Sequence, residues 1–457
     1  MPIYLPPCIT PLQILFLLRR FLRVLCFLRA SALKSFLRSF GCGLPCGAAN
    51  PGCRRLSAGA WRVRELCAPV VNRRWAAATL LVLSLVSSLA AAPGAAVTVR
   101  NPIDLARPAE TIVLSVAELH TMLTFKDARE IHVRAEGSDN DLLIQAVDTN
   151  DDGKYEEFLF QADFAPHQTR VFLLTIGDRQ LARVEDYKTY GRFVRERRDD
   201  FAWENDRIAH RMYGKELETW PQEPLTSSSV DVWIKRVPKL VINDWYMMDD
   251  YHKDHGQGGD FYAAGKTRGD GGTGIWVDGK LIPSANFRDT RVYAVGPIRL
   301  LFELTYEAWT AGGARVSEKK LISLDAGHNL DRYETRYTID GSAANLMQAT
   351  GIRKLKGTVM QSDKQHGWMR TWEDMKEGPS QLGQAVLADP ATIASFTEDD
   401  LNYIMLTRIE PGHPCITYAG FASTLGADFH SRADWDRYVT DSAARWQVPV
   451  EIKLEKR

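Results

Sequence analysis

The sequence predicts a mainly β protein in two parts, a small β-sandwich over about residues 97–180 and larger antiparallel sheets packed face to face over 200–457. Three observations predict it. Short runs rich in Ile, Val and Leu recur with turn residues between them. Several such runs are neighbours joined by tight connections, the mark of antiparallel pairing. No alternation of strand and helix, no dinucleotide fingerprint and no phosphate loop is present, which leaves nucleotide cofactors without a binding motif.

Composition sets the outer limits. The 457 residues are 45% hydrophobic and 25% charged, as in a folded globular protein. Lys+Arg and Asp+Glu number 57 each, but residues 1–75 hold twelve of the bases and only one acid, Glu65. The remainder therefore carries 45 bases and 56 acids, a net charge of −11. A body this acidic argues against a nucleic-acid binder, whose affinity comes from a dense Lys/Arg surface. Cys8, Cys26, Cys42, Cys46, Cys53 and Cys67 precede residue 70 and only Cys415 follows, so no disulfide framework serves the main body. Cys42, Cys46 and Cys53 lack the paired knuckles of a zinc site.

In chain order, residues 1–70 read as a basic leader or an upstream extension, with Val70 or Val71 as the expected true start. The competing reading is a basic amphipathic membrane helix, because Leu15 to Phe40 interleaves Leu and Phe with Arg. Asn72-Arg73-Arg74, the apolar run Trp75 to Ala92 and Pro93-Gly94-Ala95-Ala96 then make a signal peptide over 71–96. The run is short of the roughly 20 apolar residues a spanning helix needs, so cleavage near 90–96 and a periplasmic or secreted protein without a stable membrane span are expected. Glu130 to Val133, Asp141 to Val147, Phe158 to Phe160 and Thr169 to Thr175 are the strands of the small sandwich. Asp186 to Asp206, with Arg192, Arg195, Arg197 and Arg198, reads as a solvated helix or connector. Ser229 to Trp245 reads as a strand run. Arg291 to Tyr306 is two strands around Gly296-Pro297, and Val316 to Ile339 is two more around Ala326 to Asn329. Ser431 to Trp446 is the convincing helix, with Ser431 as N-cap.

Three segments carry candidate chemistry. Phe201 to Gly214 sets Asn205, Arg207 and Arg211 on one face of a strand and His210 on the other. Adjacent guanidinium groups suit a carboxylate, although a structural pair of Arg207 with Glu204 or Asp206 competes. Tyr251-His252-Lys253-Asp254-His255 opens the second, running into a segment with nine glycines from Gly256 to Gly279 and including Arg268 and Trp276. Dense glycine implies strained turns or close approach to a ligand. Its two histidines with Asp254 and Asp260 serve as substrate-binding or catalytic groups, as a metal site, or as turn chemistry. In the third, Asp148, Asn150, Asp152 and Glu156 offer alternating oxygens around Gly153, the pattern of a structural calcium turn or of a solvated Asp-Gly turn. No other cofactor is expected. Five of the tryptophans fall between Trp203 and Trp276, flat faces on which sugars stack or ordinary core.

The run Phe201 to Gly214, with Val230-Asp231-Val232-Trp233, Tyr251-His252-x-Asp254-His255-Gly256 and Gly271-Gly272-x-Gly274-Ile275-Trp276, resembles a bacterial family, domain-of-unknown-function family 4861. The resemblance covers almost everything after residue 100. It implies kinship with the galactose-mutarotase-like β-supersandwich proteins, and an exported companion of pectin-type polysaccharide degradation whose partner is an oligosaccharide or uronate sugar. No catalytic residue carries over from the family. The residues themselves suggest a β-elimination lyase, with Arg207 and Arg211 neutralising a uronate carboxylate, His210 or His255 removing the C5 proton and Tyr251 protonating the leaving oxygen. Asn205, His252, Asp254, Arg268 and Trp276 would line the substrate. An epimerase using two histidines as acid and base, or a non-catalytic carbohydrate binder, are the alternatives.

Overall fold

The computed structural model describes residues 94–457, except 222–224, 226–227, 343–344 and 376–379. The basic leader and almost all of the signal-type segment lie outside the described residues. The last two residues expected in that segment, Ala95 and Ala96, are already the first of a paired strand, so processing at the far end of the 90–96 window would cut into it.

The first part is a two-sheet sandwich. Of its strands β1 (Ala95–Arg100), β2 (Arg107–Ser115), β3 (Ile131–Ala135), β4 (Ile144–Val147), β5 (Glu157–Phe164) and β6 (Thr169–Ile176), the last four fall on the expected runs and β1 and β2 are added by the structure. They enclose a core of Val97, Val99, Ile112, Phe158, Phe160 and Phe172. A short helix α1 (Val116–His120) follows β2, capped by the Ser115 hydroxyl.

The next sheet contains a correction. The charged stretch 186–206 is not a solvated helix or connector but two strands, β7 (Thr189–Val194) and β8 (Asp200–Asn205), continued by β9 (Ala209–Tyr213), β10 (Val230–Lys235) and the two-residue β11 (Gly258–Gly259). Arg192, half-buried within β7, forks onto Glu196 of the β7–β8 turn at 2.8 and 2.9 Å, while Thr189, Gly191 and Val194 of the strand are buried. The expected strand run to Trp245 ends at Lys235, because Ile242–Met248 forms a helix, α2, that lays Ile242, Trp245 and Tyr246 on Ala202, Ala209 and Trp233.

The rest builds two further sheets. One contains β12 (Asp270–Val277), β13 (Lys280–Ile282), β19 (Met347–Arg353), β23 (Ile393–Glu398) and β24 (Asn402–Arg408), in the order β13-β12-β19-β24-β23. The other, of nine strands, comprises β14 (Phe287–Ala294), β15 (Arg299–Tyr306), β16 (Trp309–Ala311), β17 (Ala314–Asp325), β18 (Asp331–Asp340), β20 (Val359–Asp363), β21 (Trp368–Asp374), β22 (Gln381–Ala388) and β25 (Cys415–Ser423). Its order is β14-β15-β17-β18-β25-β22-β21-β20, with β16 beside β17. Phe201 and Trp203 meet Phe302 at 4.3 and 5.2 Å between ring centres, at the heart of the core between this sheet and that of β8–β10. The opposite face carries α3 (Arg432–Gln447), whose Trp435 and Val439 pack on Trp372, Leu387 and Ala422. Ser431 accepts from the Asp434 amide as its N-cap. The last strand, β26 (Glu451–Lys456), returns to pair with β1. The fold is thus mainly β, made of several antiparallel sheets packed in layers, and no helix among the described residues is long and apolar enough to cross a membrane.

Candidate functional site

The run Phe201 to Gly214 is a hairpin, not one strand, and this rearranges its side chains. Asn205 closes the turn: its Oδ1 accepts from the Arg207 and Ile208 amides at 2.7 and 2.9 Å, and its Nδ2 donates to the carbonyls of Asp325 and His328. All of its polar capacity is spent on backbone. Arg207 projects from the turn and pairs with Asp428. Arg211 lies on β9, buried. The two guanidinium groups therefore do not stand together, and the expected carboxylate clamp is absent from this hairpin.

His210 points the other way, into the core. Its Nε2 lies 3.0 Å from Asp270 and its Nδ1 2.9 Å from Asp331, whose second oxygen accepts from the Trp203 indole. Burial opposes the imidazolium, but Asp331 and Asp270 together push it up to about 9. A histidine so enclosed is a charged core residue and is not positioned to take a proton from a substrate.

The opposite face of the same sheet gathers an ionisable cluster beneath the segment 249–260. Arg211 donates through Nε and Nη2 to Asp231 at 3.1 and 2.6 Å and through Nη2 to Asp260 at 3.0 Å; its Nη1 lies 3.5 Å from Asp200. Tyr246 donates to Asp200 at 2.9 Å. Burial pushes the Asp200 carboxyl up to about 6 against the pull of Arg211 and Arg197. Tyr251 stacks on Trp233, with ring centres 4.8 Å apart, and roofs Arg211; burial raises its hydroxyl above the ordinary phenol range.

The roof of the cluster is held by glycine. A β-carbon on Gly258, at φ +107°, would stand 1.9 Å from the Ile234 carbonyl, and one on Gly269, at φ +65°, 1.8 Å from that of Val230. These approaches pin the chain to β10 at Gly258, in the roof, and again at Gly269, just before β12. The glycine-rich stretch is accordingly not one long loop: Gly271, Gly272 and Gly274 belong to β12.

At the surface of this roof sits His252. Its side chain is 67% exposed, its ring centre lies 4.8 Å from that of Tyr251, and its Nδ1 is 3.2 Å from the Asp260 carbonyl and 3.6 Å from the Asp260 carboxylate. His255 holds Asp250 at 3.2 Å and is also exposed. Asp254 has a turn-building role, accepting from the Gly256 and Gly258 amides and pairing with Arg236. The structure thus joins Arg211, Tyr251 and His252 and sets His255 and Asp254 beside them. It adds three carboxylates: Asp200 and Asp231, to which the sequence gives no role, and Asp260, which the sequence offers beside the two histidines as a metal or binding group. Asp200 and Asp231 share a signal, an acid on a strand made largely of apolar and aromatic residues, as in Val230 to Trp233, whereas Asp260 follows the two-residue β11.

Arg268 and Trp276 do not reach this cluster. Arg268 is buried beside Glu318, donates to the Thr273 carbonyl at 3.3 Å, and is lowered by burial to about 10. Trp276 packs with Leu281 and Met347. Trp203, Trp233 and Trp245 are core residues, so the expected sugar-stacking faces do not come from them.

The Asp148 turn joins β4 to β5. One Asp148 oxygen accepts from the Asp151 amide at 2.6 Å and the other from that of Gly153 at 2.8 Å. Asn150 and Asp152 brace the same turn, and Glu156 accepts from the Thr149 amide at 2.7 Å. Carboxylate oxygens of Asp148, Asp152 and Glu156 lie within 4.8 Å of one another, an all-oxygen set that suits a hard cation.

The family model described as "Domain of unknown function (DUF4861)" matches residues 99–452. A protein of Formosa agariphila, "Uncharacterized protein P7", is 33% identical over 377 residues, covering 79% of this chain and 93% of its own. Among solved structures, an alpha-mannosidase from Enterococcus faecalis V583 aligns at 8% identity with a TM-score of 0.39, over 79% of this chain and 46% of that one. A protein in glycosyl hydrolase family 38 from Enterococcus faecalis aligns at 8% identity with a TM-score of 0.42, over 79% and 47%. The chain spans less than half the length of both.

Proposed function

Because the chain belongs to the domain-of-unknown-function family DUF4861, whose description assigns no reaction, we propose from the geometry that it is a carbohydrate-active protein performing acid–base chemistry at His252. One observation carries this reading: an exposed imidazole whose Nδ1 edge faces a buried carboxylate, Asp260, that Arg211 in turn holds at 3.0 Å. The Asp260 carbonyl and carboxylate on the Nδ1 side fix the orientation of the ring and leave Nε2 toward solvent, which is the geometry a proton-transferring histidine needs. Carbohydrate as the substrate class rests on the motif resemblance, and a binding-only role is the outcome to be tested against turnover.

Between the two reaction classes, the geometry favours proton transfer at a sugar hemiacetal over β-elimination. Elimination needs a free fork to neutralise the uronate carboxylate, and both expected forks are engaged, Arg211 by Asp231 and Asp260 and Arg207 by Asp428. Hemiacetal chemistry asks only for an acid and a base. His252 with Asp260 and His255 with Asp250 supply two such pairs in one segment. One imidazole would take the anomeric hydroxyl proton while the other gives a proton to the ring oxygen, and the roles exchange on ring closure.

The test is the rate of anomer exchange, by polarimetry or NMR, for a panel of aldoses and uronates. His252→Ala should lower it by about 10²- to 10⁴-fold with little change in stability, since the residue buries little surface. Unchanged exchange in that variant would remove the assignment. The appearance of unsaturated-uronate absorbance on incubation with pectic oligomers would restore the lyase.

A further inference from the structure

We propose that the cavity between α3, the outer face of the nine-stranded sheet and the start of β2 binds a carboxylate-bearing saccharide of one or two rings, gripped by Arg332 and Arg445. This site is separate from the His252 roof and does not depend on turnover there.

The cavity measures about 310 Å³, at the small end of the range of ligand pockets. Its floor is a cross-strand row, Ser323 opposite Arg332, Arg332 opposite Tyr418 and Tyr418 opposite Leu387. Its far wall is the last turns of α3, with Ser442, Arg445 and Trp446. Four arginines face it against two carboxylates, Glu110 and Asp325, which leaves an excess of positive charge.

The arginines are not equivalent. Arg107 spends all three nitrogens on Asn101, Glu110 and the carbonyls of Arg445 and Val448. Arg299 forks onto Asp325 at 2.7 and 2.8 Å and reaches Glu157 at 3.2 Å. Both are structural. Arg332 commits one nitrogen to Glu334 and also hydrogen-bonds the Tyr418 hydroxyl, and Arg445 donates its Nε to the Ala106 carbonyl at 2.9 Å, with Asp441 a distant 3.7 Å away. Each keeps guanidinium donors for a ligand, one on the floor and one on the wall of the same cavity, and such donors are what a carboxylate recruits.

The surroundings identify the rest of the ligand. Trp446 stands edge to face with Tyr418, ring centres 4.9 Å apart, and is partly exposed. It also lines a second cavity of about 160 Å³, so its indole stands between two hollows. Aromatic walls beside the Ser323 and Ser442 hydroxyls suit a ring that is apolar on its faces and hydroxylated at its edge. An acid ring in the larger hollow, with a further ring passing Trp446, accounts for both.

Calorimetric titration of the full chain with galacturonate, glucuronate, digalacturonate and the methyl esters of the monomers tests this. The acids should bind, digalacturonate should bind tighter than the monomer, and the esters should bind about 10- to 100-fold more weakly because the charge-assisted pair is gone. Arg445→Ala and Arg332→Lys should each lose a similar factor for the acids and little for the esters. Ser442→Phe, which fills the hollow without removing charge, should abolish binding, and anomer exchange at the His252 site should be unaffected by it. Melting curves establish that each variant is folded. Equal affinity for acid and ester, affinity unchanged by Arg445→Ala together with Ser442→Phe, or sulfate binding as well as galacturonate would each overturn the proposal.

Discussion

His210 holds a proton between two carboxylates where water does not reach, so its titration is coupled to folding. Its folded pKa of about 9 lies above the ordinary 6.5. A histidine shifted upward contributes its full stability below the unfolded value and loses it as pH rises through the folded one. Stability measured by denaturant should therefore fall between pH 6.5 and 9, by on the order of 1–3 kcal/mol. Asp200 is also raised, from 3.8 to about 6, and its loss falls in that lower window, so the two are separable. His210→Gln should be less stable at every pH, because it leaves Asp270 and Asp331 facing each other, and should lack the alkaline fall; an unchanged slope would remove the linkage. The sequence told that His210 and Arg211 sit on opposite faces of a chemistry-bearing strand, since alternation is local. It did not tell their partners. Asp270 is 60 residues from His210 and Asp260 is 49 from Arg211, and only the sheet packing brings them together.

Elements with local signals were legible and those defined by packing were not. The hairpins around Gly296-Pro297 and Ala326 to Asn329 and the capped helix α3 carry their turn and cap residues in the chain. Strands β7 and β8 carry three charged residues between them, Arg192, Asp200 and Glu204, and are joined by a turn of five more, so only the burial of their neighbours makes them strands. Helix α2 is seven residues long, too short for a helical period to show. The β4–β5 turn is legible as a motif, and its oxygen set gives a direct expectation. A cation that binds only the folded state stabilises it by mass action, by about 2.7 kcal/mol at a hundred times its dissociation constant. Calcium should raise the melting midpoint, chelator should reverse the rise, and Asp152→Ala should abolish it while leaving anomer exchange intact. A midpoint indifferent to calcium would make the turn an ordinary hydrogen-bonded Asp-Gly connection.

At the scale of the whole molecule, the first sandwich is closed by the end of the chain. β26 pairs residue for residue with β1, from Ala95 opposite Lys456 to Arg100 opposite Glu451, and so covers an edge that nothing in residues 97–180 could cover. Its side chains are mostly exposed, with Glu451, Lys453, Glu455 and Lys456 along it, which is how an edge strand resists pairing with another molecule. The strand contributes chiefly through its ladder, with Leu454 alone of its side chains packed against the core. Arg107 reinforces the closure by binding the Arg445 and Val448 carbonyls as the chain leaves α3. Removal of residues 450–457 should therefore leave the large sheets folded but strip one side of β1, whose Val97 and Val99 are fully buried, leaving it paired with β6 alone. The expected cost is on the order of 2–5 kcal/mol from the lost ladder, seen as an earlier transition on melting, with the uncovered β1 edge driving self-association seen by size-exclusion chromatography. Replacing Lys453 and Lys456 by Val in the full chain should produce the association without the loss of stability, because the ladder persists while its guard charges are gone. If the shortened chain melts and elutes as the intact one does, β26 is an ornament on a sandwich that β1 and β6 already complete.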